Sequence, residues 1–388
     1  MTTTPKKIYM AFEEGGCTVL RLQIHKIRNI LIKEGIIIVN TPEDANACIV
    51  GTCAAFEADE IRSSHMIDDF IEKNKDVYAY GCMCNVNPTF IRTHKQYMTW
   101  EAQDLIKDIC GHNVEFNYRM RLPGEFSSKE EYRKYDLSKR FLCITFGCSF
   151  NCSYCPHKLG VGSPLSIYHD EIINQIYEYN LNPDIKTIYI TGTDTACYGF
   201  ESDTNFAELL AEILSILRKD IKLRISQYNP EGIFQNSDLL FQCLKNPQID
   251  EFQLPFQTAS QRLLKLMNRN YDINKVGFFL EKLIKINPNL YIRTDILVGF
   301  PTETDKDIQK TLQFAIKYFS EIAIYIFEIK QNTDIIKMHL PEVPQNEKKR
   351  RYAHCKAILT QNNLLFHSGG QALETLIKCE RKKMGEKL

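Results

Sequence analysis

Six short apolar runs between residues 141 and 329 constrain this chain more than any other feature: FLCITFG (141–147), TIYITG (187–192), KLRISQ (222–227), EFQLPF (251–256), YIRTDILVGF (291–300) and IAIYIFEI (322–329). Stretches with helical periodicity separate them, for example 204–218 and 273–286. Strands joined by helical crossovers pair in parallel, because each helix returns the chain to the same end of the sheet. Six such units predict a (β/α)6 partial barrel. A shorter alternation precedes it. KIYMAF (7–12), GIIIV (35–39), ACIVGTC (47–53) and VYAYGC (77–82) read as strands, and 19–34 and 57–73 as helices. Thr41 before PEDA reads as a helix N-cap.

The expected architecture is therefore α/β, with a Rossmann-like parallel-sheet domain over residues 1–121 followed by the partial barrel over 140–367. The polar stretch 122–139, with its Pro, Gly and Ser, reads as a linker. Residues 368–388 read as a short C-terminal segment with one strand in QALETLIKC (371–379) and a basic tail. The last helix, about 346–365, carries Lys348, Lys349, Arg350 and Arg351, which read as a solvated face.

Composition narrows the class. No apolar run approaches the roughly 20 residues of a membrane span, and MTTTPKKIYM has no apolar signal core, so the chain reads as cytoplasmic with no membrane partner. Lys+Arg and Asp+Glu each total 48, so net charge offers no support for a phosphate-rich partner. The 14 cysteines, without an export signal, read as reduced thiols, and those that cluster read as metal ligands.

The densest cluster is FGCSFNCSYCPH, where Cys148, Cys152 and Cys155 follow the first barrel strand. A structural zinc takes four ligands. No fourth cysteine or histidine follows at a finger-like distance, and His157 would have to fold back within two residues. An iron–sulfur cubane held by three thiolates keeps one iron open for a further ligand. An unusual zinc loop is the competing reading. Cys17, Cys53 and Cys82 each follow a strand of the first domain. The carboxyl ends of parallel strands open on one edge, so these three are expected to converge on a second cluster. Cys84 competes with Cys82 for that place. Cys48 reads as core. Cys110, Cys143, Cys197, Cys243, Cys355 and Cys379 read as isolated and structural, with Cys197 nearest a strand end.

The spacing Cys-x3-Cys-x2-Cys, with Tyr154 before the last cysteine, resembles the signature of the radical S-adenosylmethionine (SAM) enzymes. Together with the second triplet it resembles the methylthiotransferases of that superfamily, over about residues 5–365. GTCAAFEADE, YGCMCN, TGTDTACYGF, LRISQYNP, LPFQTASQRLLKLMNRNY and TDILVGFPTET carry the resemblance. It implies replacement of C–H by C–SCH3, two [4Fe-4S] clusters and two SAM molecules. One SAM methylates a sulfur on the auxiliary cluster, and the other yields the radical that activates the target carbon. Cys148, Cys152 and Cys155 would hold the radical cluster, and Cys17, Cys53 and Cys82 the auxiliary one. Tyr154, Thr191, Gly192, Arg224, Ser226 and Gln257 are the expected SAM contacts, with an ion pair from Arg224 to Asp295 as the bland alternative. A flavodoxin or ferredoxin would supply electrons.

The resemblance fails in four places: the shortened CPHKLG loop, Leu159-Gly160 in place of Arg-Gly, FEIKQNTDI after the sixth strand, and a nearly absent C-terminal TRAM domain. All four lie where a substrate would sit. QTAS (257–260) favours an adenosine of tRNA next to the anticodon. The alternatives are a peptide, a small natural-product precursor or a ribosomal protein, and, outside methylthiolation, a radical enzyme with a purely structural second cluster or a binding protein with vestigial clusters. The tRNA reading predicts a basic stripe at the barrel mouth that includes Lys348 to Arg351.

Overall fold

The computed structural model describes residues 6–12, 17–121 and 138–368. In the first part, β1 (Lys7–Phe12), β2 (Ile37–Val39), β3 (Ala47–Thr52), β4 (Asp76–Gly81) and β5 (Gln96–Tyr97) form one sheet in the order β2-β1-β3-β4-β5. Every pairing in it is parallel. Alternation along β3 divides the packing between two faces. Cys48 and Val50 meet Ile67 and Phe70 of the helix Glu57–Glu72. Ala47 and Ile49 meet Ile24, Ile27 and Leu31 of the helix Thr18–Lys33. Thr41 starts no helix: its hydroxyl bonds the Asp44 carboxylate at 2.7 Å and the chain closes a turn through Ala45 N–H to Pro42 C=O. Only five residues separate Thr41 from the next strand, which leaves no room for more.

The second sheet contains β6 (Lys139–Phe146), β7 (Leu165–Ser166), β8 (Thr187–Gly192), β9 (Lys222–Ile225), β10 (Ile249–Gln253), β11 (Tyr291–Val298), β12 (Glu321–Ile326) and β13 (Leu365–Ser368). Its order is β13-β12-β11-β10-β9-β8-β6-β7. All pairs are parallel except β6 with β7. β10 stops at Gln253, two residues before Pro255, which has no N–H to give a ladder. Lys139, taken from sequence as the linker's last residue, already pairs with Thr187. β13 was not anticipated. It adds a seventh parallel strand at the barrel's open edge and places His367 Nδ1 3.2 Å from the Glu321 carboxylate. Residues 122–137, the strand expected over 371–379, and Cys379 lie outside the described residues. No helix among the described residues is long and apolar enough to cross a membrane.

The basic run near the end is not a solvated face. It lies on the helix Gln345–Gln361, where residues three apart share a side. Lys348 and Arg351 point inward: Lys348 Nζ donates to Phe327 C=O at 3.0 Å, and Arg351 Nη1 pairs with Glu303 at 3.2 Å. Only Lys349 and Arg350 face out, and Arg350 is held by Asp305 and Glu347. Gly299 makes room for Lys348. It has φ +86°, and a Cβ there would lie 2.5 Å from Lys348 Cγ.

The two sheets are tied at their carboxyl ends. The short helix His157–Val161 lies against the segment after β4: Asn85 donates to Leu159 C=O, and Thr99 Oγ1 to Gly160 C=O, both at 2.7 Å. Between them, Gly160 touches Cys82. Farther along, Phe56 stacks on Tyr325 with centroids 5.6 Å apart, and the buried Lys330 pairs with Glu60 at 3.0 Å. A Cβ on Gly160 would lie 2.6 Å from Cys82 Cβ and 2.9 Å from its Sγ. Gly160→Ala is therefore expected to lower stability by about 1–3 kcal/mol through overpacking, read as a lower denaturant midpoint, and an unchanged midpoint would show that this contact yields.

Candidate functional site

The loop after β6 is shaped before any ligand enters. Gly147 turns it with φ +78°, where a side chain would collide with the Ser163 carbonyl. Ser153 then anchors it: its N–H donates to Met267 C=O at 3.0 Å, its Oγ to Leu266 C=O at 2.8 Å, and its carbonyl accepts Ile335 N–H at 2.8 Å. Asn268 Nδ2 reaches Asn151 C=O at 2.7 Å. Pinned this way, Cys148, Cys152 and Cys155 open into one cavity of about 270 Å³. Tyr154 and Gln257 line it too, as do Asp194, Asn229 and Arg269. Tyr154 is held edge-on against Phe300, centroids 6.2 Å apart. Gln257 adopts φ +67°, with its N–H on Asp295 C=O at 3.0 Å.

A second cavity, about 220 Å³, adjoins the first and is lined by Cys17, Cys53 and Cys82. Cys17 caps the helix Thr18–Lys33, its sulfur accepting Leu20 N–H at 3.4 Å. Cys53 Sγ donates to Asp59 at 3.7 Å. Ala55, Phe56, His157, Thr193, Gln227, Asp295 and Tyr325 line both cavities and form their common wall. The two triplets, 66 residues apart at their nearest members, thus face a shared partition.

The structure divides the remaining expected contacts. Thr191, Gly192 and Ser226 line the second cavity, with Cys17, Cys53 and Cys82, and not the first. Arg224 lines neither. Its guanidinium pairs with Asp250 at 3.0 Å, lies 3.8 Å from Glu251 and donates to Tyr189 Oη at 2.8 Å, so its partner is not Asp295. Asp295 instead accepts from Gln253 Nε2 at 3.3 Å. Cys84 is absent from both linings; it is buried with its sulfur 3.8 Å from Thr52 Oγ1. Cys48, Cys143, Cys243 and Cys355 sit in apolar cores.

Cys197 is not isolated: its sulfur, that of Cys148 and a carboxylate oxygen of Asp194 lie within 4.8 Å of one another. Nothing in the sequence pattern marks Arg269, although it lies within LPFQTASQRLLKLMNRNY (254–271). Its guanidinium is buried, donates to Pro255 C=O at 2.7 Å and comes within 3.7 Å of Cys152 Sγ. A buried arginine needs a negative partner, and no sequence period reveals that partner.

Burial dominates the electrostatics. It pushes the Cys152 thiol up to about 11, with Arg269 pulling the other way. Cys155 is raised by burial and partly offset by the N–H groups of His157 and Lys158. Cys82 is raised well above the ordinary thiol value, first by burial and then by the charge that Cys17, Cys53, Cys84 and Cys155 would carry. Cys155 belongs to the other triplet, so Cys82 feels a charge from across the partition. Desolvation lifts Asp194 to about 7. Buried thiols of this kind keep their protons at neutral pH unless a metal replaces them. Three convergent thiols, with a buried guanidinium against one of them, are a donor set that suits an anionic iron–sulfur group.

Comparison with known proteins agrees with this geometry. The radical SAM superfamily model matches residues 142–315, and the model of uncharacterized protein family UPF0004 matches residues 9–100. A probable threonylcarbamoyladenosine tRNA methylthiotransferase of Methanocaldococcus jannaschii is 31% identical over 308 residues, 78% of this chain and 71% of the relative. Threonylcarbamoyladenosine tRNA methylthiotransferase MtaB of Thermotoga maritima is 28% identical over 355 residues, 87% and 79% of the two chains. Among solved structures, the radical SAM methyltransferase TsrM of Kitasatospora setae superposes with a TM-score of 0.63 at 11% identity, over 86% of this chain and 77% of that one, which speaks to the fold alone. The chain belongs to the radical SAM methylthiotransferase family and is a transferase of that class.

Proposed function

We propose that this protein inserts a methylthio group into threonylcarbamoyladenosine of tRNA, next to the anticodon. We further propose that it uses two [4Fe-4S] clusters, one on Cys148, Cys152 and Cys155 and one on Cys17, Cys53 and Cys82, with a flavodoxin or ferredoxin as electron donor. The substrate is the one named for the relatives of Methanocaldococcus jannaschii and Thermotoga maritima. The observation that carries the reading is the pair of adjoining cavities, each with one cysteine triplet and sharing a wall. Sulfur insertion needs a place where a carbon radical is made and a place where sulfur waits, close enough for one substrate atom to meet both.

When bound, the two clusters would supply one-electron cleavage of SAM on the barrel side and a methylated sulfur on the other. The protein's own groups do the positioning. Arg269 sets a permanent cation against Cys152 in a buried site, where an unpaired negative group would be costly. Phe56 and Tyr325 present aromatic faces in the partition. Tyr154 and Gln257 line the first cavity and are the favoured SAM contacts there. Lys348 and Arg351 are engaged inside the protein, so the basic stripe expected at the mouth does not include them.

Anaerobically reconstituted protein is expected to hold about eight irons if both clusters are cubanes. Cys152→Ala should abolish 5′-deoxyadenosine formation and retain about half of that iron. Cys53→Ala should do the reverse: SAM is still cleaved, but no methylthio product forms. Methylthiolated product from Cys53→Ala would overturn the assignment of the second cluster. Mass spectrometry of tRNA nucleosides from a deletion strain should show threonylcarbamoyladenosine without its 2-methylthio derivative. An unchanged level of that derivative would redirect the search to a peptide or small-molecule substrate.

A further inference from the structure

We propose that Cys197 is a positioning residue whose thiol donates a hydrogen bond to the sulfur of Cys148 and so raises the reduction potential of the cluster held in the first cavity. This rests on the reading above that Cys148, Cys152 and Cys155 ligate that cluster.

Cys197 is 2% exposed and is fixed from several directions. Its own N–H donates to Asp194 C=O at 3.1 Å, in the tight turn Thr195–Cys197 that Asp194 caps through Ala196 N–H at 3.0 Å. Its sulfur accepts the Ser149 N–H at 3.4 Å, and Ser149 Oγ stands 3.2 Å away. Ser149 follows Cys148 directly, so the loop that carries the ligand also clamps the neighbouring thiol. The Cys197 S–H has three polar neighbours: Ser149 Oγ at 3.2 Å and, within 4.8 Å, Cys148 Sγ and the Asp194 carboxylate. With the Ser149 hydroxyl donating to the Cys197 sulfur, the S–H is left for the other two. Asp194 Oδ1 already accepts the N–H groups of Ala196 at 3.0 Å and Asn229 at 3.1 Å.

Once Cys148 is ligated it is a thiolate and can only accept. A second thiolate beside it in a buried site would repel it, so Cys197 carries the proton and is the donor of the pair. Reduction adds negative charge that the ligand sulfurs share, and a donor aimed at such a sulfur stabilises the reduced state. Arg269 stands in the same relation to Cys152, at 3.7 Å. A thiol is the weaker donor of the two.

The test uses the full-length chain in a background of Cys17→Ala, Cys53→Ala and Cys82→Ala, so that a potentiometric titration followed by electron paramagnetic resonance reads one cluster. Adding Cys197→Ala should leave the iron content at about four per chain and displace the midpoint to a more negative potential. Cys197→Ser, which keeps a hydroxyl donor, should return the midpoint toward that of the background. A cluster retained at full occupancy with an unmoved midpoint in Cys197→Ala would overturn the proposal and leave the S–H to Asp194 or Ser149 Oγ. A cluster that persists in Cys148→Ala would also overturn it, by making Cys197 a ligand. A background protein that holds no iron would sink the cluster assignment itself, a separate result.

Discussion

The contact of Gly160 with Cys82 is the constraint on which the rest of this structure depends. Parallel strands of each sheet end toward the other sheet, and the loops at those ends carry all six cysteines of the two triplets. Such edges do not approach closely unless something small lies between them. Here the backbone of a five-residue helix rests on the cysteine itself, with no side chain between. That helix begins two residues after Cys155, so the same segment that finishes one triplet supports a member of the other. The polar bonds from Asn85 and Thr99 fix its position without adding thickness.

Around this contact the protein buries several charged side chains whose partners offset the desolvation. Lys330 is paired with Glu60 and lies 3.4 Å from Glu328. Arg293 lies between Glu251 at 2.9 Å and Glu321 at 3.4 Å. These pairs occupy the barrel and the seam between the sheets. Arg269 differs from them, because beyond the Tyr271 and Asn229 side chains and a carbonyl its neighbour is the sulfur of Cys152. A cation in that setting is better matched to a ligated thiolate than to a thiol.

Much of this was legible from the chain alone. All six barrel runs contain a strand, since they are short, largely apolar and separated from one another by stretches of helical periodicity. The convergence of Cys17, Cys53 and Cys82 on one cavity follows from parallel topology, where strand ends share an edge whatever their separation in sequence. What was not legible depended on partners distant in sequence. LFHS is too short to show a period, and β13 exists because β12 offers a free edge. The run at 348–351 looked uniformly basic, yet helical geometry turns Lys348 and Arg351 inward, and Gly299 leaves the space for one of them. Arg224 sits near a strand end, as a ligand contact might, but Asp250 claims it. Thr191 and Gly192 end the correct strand and still face the other cavity, because the adjoining sheet decides which space a strand end borders.

The central claim is that two clusters sit on either side of the partition formed by Phe56 and Tyr325. Anomalous diffraction at the iron absorption edge, from crystals grown anaerobically after reconstitution, tests it directly. The account predicts two iron peaks, one against the sulfurs of Cys148, Cys152 and Cys155 and the other against those of Cys17, Cys53 and Cys82. A single peak on the barrel side, with no iron near Cys17, Cys53 and Cys82, would contradict it.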